Sequence, residues 1–169
     1  MALDAIFVEF APAEDRLLVR VQHDRDRETR FWFTRRLVRM FWPVLLKLAA
    51  APTEIRAQAS PEARKALVEM RHEQAISGMQ FTQGPAKPAQ IRTPSAMLLV
   101  TTIHASRKPD GRVLLTLCPP EGPGWDLNLS DELLHALIEL IRKASASAEW
   151  ELGLDVPRTA FGTHPGASN

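Results

Sequence analysis

One cysteine among 169 residues leaves no partner for a disulfide within the chain, so the fold must be held by its own core. That cysteine, Cys118, ends the apolar run Val113-Leu114-Leu115-Thr116-Leu117-Cys118, where a free thiol behaves as a small core hydrophobe, and this usage fits a reducing compartment. A basic, apolar leader is missing too: Met1-Ala2-Leu3-Asp4-Ala5-Ile6 carries Asp4 in its apolar stretch, which predicts a cytoplasmic protein. The longest apolar stretch, Leu37 to Ala51, is interrupted by Arg39, Pro43 and Lys47 and falls short of the roughly 18 residues of a membrane span. His23, His72, His104, His135 and His164 are far apart, with no His-x-x-x-His or cysteine pair beside them. That spacing offers no metal ligand set, and each reads as a surface or structural histidine. There is no Gly-rich phosphate loop, no G-x-S-x-G elbow and no paired-carboxylate motif, so the sequence predicts no catalytic residue and no cofactor, and an enzyme is the disfavoured class.

What is present is ordinary globular material, 45% hydrophobic and 24% charged. A chain of this length buries roughly 70% of its unfolded surface in a single core. We read one α+β domain over residues 1–155 and a mobile tail, rich in Pro and Gly, over 156–169. Strands are predicted at Ala5–Phe10 and Arg16–Gln22, the latter from the alternation of Leu17, Val19 and Val21, with a third short strand at Phe31-Trp32-Phe33. Thr34 then caps a helix with Leu37, Phe41, Val44, Leu45 and Leu48 on its core face and Pro43 as a kink. Ser60-Pro61-Glu62 opens a second helix, to Ser77, whose thin apolar face rests on Leu67 and Met70. Residues 82–95 read as a long loop, Met97–His104 as one strand, Arg107–Gly111 as a turn and Arg112–Cys118 as the returning strand. Trp125–Leu129 is a further strand, Ser130 caps a third helix carrying Leu133, Leu137, Leu140, Ile141 and Ala144, and Trp150–Leu154 adds a last strand.

Slid by 96 positions, the halves align without gaps: Asp15-Arg16 falls on Gly111-Arg112, Leu17–Gln22 on Val113–Cys118, and Thr34 on Ser130. The expectation is an antiparallel sheet built from two ββ(β)α halves, 3–48 and 99–144, with three helices against it. In topology alone this arrangement is similar to the paired repeats with which purine-rich-element binding proteins and Whirly proteins hold single-stranded nucleic acid. No motif of either is present, and no residue role carries over.

Charge is uneven although the chain carries only +1. From Arg16 to Lys47 there are nine basic residues against three acidic ones, +6, while residues 121–155 hold eight acidic against two basic, −6. Within the basic segment Thr34-Arg35-Arg36 breaks a local rule, because cations in a helix's first turn oppose the macrodipole by about 0.3–1 kcal/mol each. The equivalent positions of the other half hold Asp131 and Glu132, the favourable choice. Such a departure marks a candidate site: Arg35 and Arg36 beside free backbone N–H groups, Arg30 and Arg39 nearby, and Trp32 to stack on a base. The structural alternative is neutralisation of these arginines by Asp24, Asp26 or Glu28, with the aromatic residues in the core. Two functional classes follow. One is a binding module for single-stranded nucleic acid or another polyanion through Arg30, Trp32, Arg35, Arg36 and Arg39. The other is a protein-interaction or self-assembly module in which the basic half meets an acidic partner or another copy's acidic half.

Overall fold

A computed structural model describes residues 3–23, 27–77 and 97–156. Leu3–Ala11 (β1), Arg16–His23 (β2) and Arg27–Thr34 (β3) form an antiparallel meander that leads into the helix Arg35–Ala49 (α1). A short helix Thr53–Arg56 (α2) and the longer Pro61–Ser77 (α3) follow. Met97–Leu99 (β4) adds to the first sheet, parallel to β3. Thr102–Arg107 (β5), Val113–Cys118 (β6) and Trp125–Leu129 (β7) make a second, three-stranded antiparallel sheet, and Asp131–Ser147 (α4) closes the described fold. The class is therefore α+β, with two sheets and four helices among the described residues in place of the expected single antiparallel sheet and three helices.

Each element follows from its pattern. In β2 the alternation is complete, Leu17, Val19 and Val21 buried and Leu18, Arg20 and Gln22 half-buried, because successive side chains point to opposite faces. Thr34 and Ser130 cap their helices as expected, their hydroxyls accepting from the Leu37 N–H at 3.2 Å and the Leu133 N–H at 3.3 Å. The spacing of 96 is kept where β2 pairs β3 and β6 pairs β7, since Leu17 faces Phe33 and Val113 faces Leu129. It is lost in the preceding hairpins, where Ala11 faces Arg16 but Arg107 faces Val113 across a turn one residue longer. Gly111, at φ 85°, provides the left-handed residue of that turn.

Several expectations are corrected. The strand expected over Met97–His104 is two strands: the Val100 N–H donates to the Trp32 carbonyl of the first sheet and the Thr101 N–H to the Cys118 carbonyl of the second. The chain changes sheets between these neighbours. β3 is longer than Phe31–Phe33, since Arg27, Glu28, Thr29 and Arg30 also pair with β2. Val44 lies at the margin of the α1 stripe and is exposed, while Val38 and Trp42 are buried. On α4, Leu134 and Ile138 are fully buried and Leu133 and Leu140 only half-buried. Met70 of α3 is exposed, and the buried residues there are Val68, Glu69 and His72. Residues 150–154 form no strand; Trp150 instead plugs the core at 2% exposure, its Nε1–H donating to Asp15 Oδ1 at 2.8 Å and its ring edge-on to Phe10. Cys118 is half-buried, because Leu117 takes the inward position. The expected loop at 82–95 and the tail beyond 156 lie outside the described residues.

The helices cross between the halves. α1 contacts β5 of the second sheet as well as its own β3, and α4 lies against β1 and β2 of the first sheet and against α1. One continuous core results, running from Leu17, Val19 and Phe31 through Leu45 to Leu115, Leu129, Leu134 and Ile141.

Candidate functional site

Two groups of basic residues stand out once the fold is in place. Arg20 and Arg30 lie on one face of the first sheet, and Glu28, 3% exposed, sits between them. Its Oε1 accepts from Arg30 Nε at 2.7 Å and its Oε2 is 3.6 Å from Arg20 Nη1. Arg20 also lies over the Phe7 ring at 5.1 Å and 3.7 Å from Glu9. Burying a carboxylate here is tolerable because two guanidinium groups meet it. Arg107 links three elements, donating to the Leu48 carbonyl near the end of α1 at 2.8 Å and pairing with Asp131 in the first turn of α4 at 2.8 Å. Arg71 of α3 joins that carboxylate at 3.5 Å and also binds Glu54 of α2. Arg142 holds Glu139 with two bonds, 2.6 and 2.8 Å.

The second group is on α1. Arg35, Arg36, Arg39 and Lys47 are all exposed and make no ion pair among the described residues, and the helix contains no acidic residue. At 100° per residue these side chains share the face opposite the buried stripe, with Pro43 between them and Met40 (62% exposed) and Val44 (40%) one turn apart along its edge. Thr34 occupies only the Leu37 N–H, which leaves the Arg35 and Arg36 N–H groups of the first turn beyond the cap's reach. The five candidate residues are thus divided. Arg35, Arg36 and Arg39 stand together on the α1 face, while Arg30 and the half-buried Trp32 are two residues apart on β3, with Arg30 committed to Glu28. Glu28 neutralises Arg20 and Arg30 and not the α1 arginines; Asp24 and Asp26 lie outside the described residues.

A second polar cluster escaped the sequence reading. Where α3 packs on α4, His72 and His135, both buried, place their Nδ1 atoms 3.2 Å apart. Glu139, one turn beyond His135 and also buried, is 3.6 Å from His72 Nε2. Burial, then the neighbouring His72, push the His135 imidazole down to about 4. Burial would raise the Glu139 carboxyl, but the hydrogen bond and charge of Arg142, with Lys143 and His72 behind it, outweigh that and hold it below its ordinary value. Arg142 is raised in turn by its bond to Glu139. The signal was available as spacing, since Asp131, His135 and Glu139 recur every four residues on one face of a helix. It was hidden because its other half, His72, comes from a helix 63 residues away. Among the described residues no group of three or more His, Cys, Asp or Glu side chains is placed to hold a metal ion, and no helix is long and apolar enough to cross a membrane.

No protein-family model matches this chain, and neither the curated proteins nor the solved structures contain a significant match to it.

Proposed function

We propose that the chain is a non-enzymatic binding module for polyanions, single-stranded nucleic acid foremost, engaged through the outward face of α1. The observation that supports this reading is the clustering, on one helix face, of cations unpaired among the described residues. Arg20, Arg30, Arg71, Arg107 and Arg142 each meet a carboxylate inside the fold, whereas Arg35, Arg36, Arg39 and Lys47 project from one acid-free helix. Clustered cations that the fold leaves without counter-charges cost stability, and a row of phosphates would relieve that repulsion. Arg35 and Arg36 additionally flank N–H groups at the positive end of the α1 dipole, where an anion is favoured.

Fluorescence anisotropy of a labelled single-stranded oligonucleotide tests the reading directly. Four phosphate contacts predict an affinity that falls with salt along a log–log slope of about −3. Arg35→Glu/Arg36→Glu should abolish binding while leaving the fold intact, since both side chains are exposed. Equal affinity for wild type and variant rules the α1 site out.

A protein partner is the second reading, and Met40 and Val44 favour it. Phosphates make no use of an apolar edge beside the cations, whereas an acidic partner with its own apolar stripe would cover both. Self-assembly through the acidic half has less to work with than its composition implies, since Glu139 is buried against Arg142 and Asp131 is held by Arg107. Folded wild-type protein that ignores oligonucleotides at low salt moves the assignment to this second class.

A further inference from the structure

We propose that the His72–His135 pair is a pH-operated latch that holds α3 on α4 at neutral pH and releases it on acidification. Such a latch needs an interface with little apolar packing and with titratable groups buried in it, and α3 has one. Of its 17 residues only Val68, Glu69 and His72 are buried, with Leu67 packed half-buried against the core, so two of the three buried side chains are titratable. Helices docked by a broad apolar face are insensitive to protons, but α3 has no such face.

The geometry sets the sensitivity. Two imidazole nitrogens 3.2 Å apart share one proton: one Nδ1 must donate and the other must accept. The Glu139 carboxylate, 3.6 Å from His72 Nε2, favours a proton on that nitrogen, which makes His72 Nδ1 the acceptor and His135 Nδ1–H the donor. A proton added to His72 Nδ1 turns the bond into two N–H groups facing each other. A proton added to His135 instead places a buried cation beside Arg71 and Arg107, whose charges oppose the favourable charge of Asp131. The other charged groups around the pair are Glu139 with Arg142 and Lys143 on α4, and Glu69 one turn before His72 on α3. Glu139 is bound twice by Arg142 and divides its remaining charge between Lys143 and His72.

The direction of the effect follows by linkage. His135 titrates at about 4 when docked and at 6.5 when released, so the released state binds the proton more tightly. Docking is therefore complete above about pH 6.5 and weakens as pH falls toward 4, and at about pH 5 the equilibrium has moved roughly 30-fold toward release. Release would break the Arg71 contacts to Asp131 and Glu54 and uncover the α4 face that carries His135 and Glu139.

Hydrogen exchange of the full chain at about pH 7 and about pH 5, corrected for intrinsic exchange, reads this out. The α3 amides should exchange through an opening of lower free energy than that of the α1 amides at both pH values, that opening should be roughly 30-fold more populated at the lower pH, and His135→Leu, which cannot take the proton, should remove the difference. Equal opening free energies for α1 and α3 would mean global unfolding and overturn the latch, as would unchanged α3 protection or a pH response that persists in His135→Leu. Should that variant not fold, a histidine titration of the wild type by NMR decides. A His135 midpoint far below 6.5, in step with loss of α3 protection, supports the latch, and a midpoint near 6.5 overturns it.

Discussion

Replacing Glu28 by Gln removes a buried charge while keeping the shape of the side chain, which makes it a test of how the first sheet accommodates its arginines. The carboxylate is 3% exposed, accepts from Arg30 Nε at 2.7 Å and lies 3.6 Å from Arg20 Nη1. Breaking a fully buried ion pair costs about 3–5 kcal/mol, and a lost hydrogen bond to a charged group about 1.5–3 kcal/mol. Both arginines retain some water, at 14% and 29% side-chain exposure, and Glu9 remains 3.7 Å from Arg20, so the lower figure applies. We expect a loss of about 2 kcal/mol, which for a domain of this size lowers Tm by about 6 °C. Urea unfolding should show a lower midpoint at unchanged slope. A loss below about 0.5 kcal/mol, the scale of a solvent-exposed pair, would refute the claim that Glu28 holds two arginines in place. A cycle with Arg30→Met isolates the shorter contact, because that variant removes the Nε donor and keeps much of the stem packing.

Four further outcomes are expected. Thr34→Ala and Ser130→Ala each remove a helix cap and should cost about 1 kcal/mol, a Tm shift of about 3 °C by calorimetry, with the two effects additive. Trp150→Phe keeps an aromatic ring near Phe10 but loses the Nε1–Asp15 bond, for a loss of about 1–2 kcal/mol in urea unfolding. His135 is depressed in the fold, so the stability it confers is present above 6.5 and lost as pH falls toward 4. Unfolding free energies measured across that window should drop by up to about 3 kcal/mol and flatten in His135→Leu. The Glu139 carboxyl is likewise depressed, which adds stability above its ordinary 4.5 that disappears as pH falls below it, and Glu139→Gln should remove that acid limb.

Local chemistry was legible wherever a single segment decides it. The caps at Thr34 and Ser130, the alternation of Leu17, Val19 and Val21, and the turn before Arg112 depend on neighbours in sequence, and the structure has all of them. The break at Val100–Thr101 was not legible, since an apolar run reads as one strand whichever sheet each half joins. Arg27–Arg30 did not read as strand because of its charges; Glu28 meets Arg30 within the strand but reaches Arg20 only once β3 has paired with β2, which no local pattern encodes. For the candidate site, the cations of α1 were visible in sequence, but their separation from Arg30 depended on the position of Glu28. His72 and His135 were invisible as a pair for the same reason: each is ordinary alone, and the 3.2 Å contact exists only once α3 and α4 have met.

The exchange of helices between the halves has a consequence for how the protein comes off the ribosome. The inner face of β1 and β2 is covered in part by α4, whose residues 131–147 are translated more than a hundred residues later. The first meander therefore emerges with Val19, Val21 and Phe10 still uncovered, and at ordinary elongation rates it waits roughly 5–25 s for its lid. During that interval β1 is also an open sheet edge, so nascent chains on neighbouring ribosomes present matching sticky surfaces to one another. The expected outcome of this order of assembly is co-translational aggregation that a holding chaperone or slower initiation reduces, measurable as the soluble fraction of newly made chain.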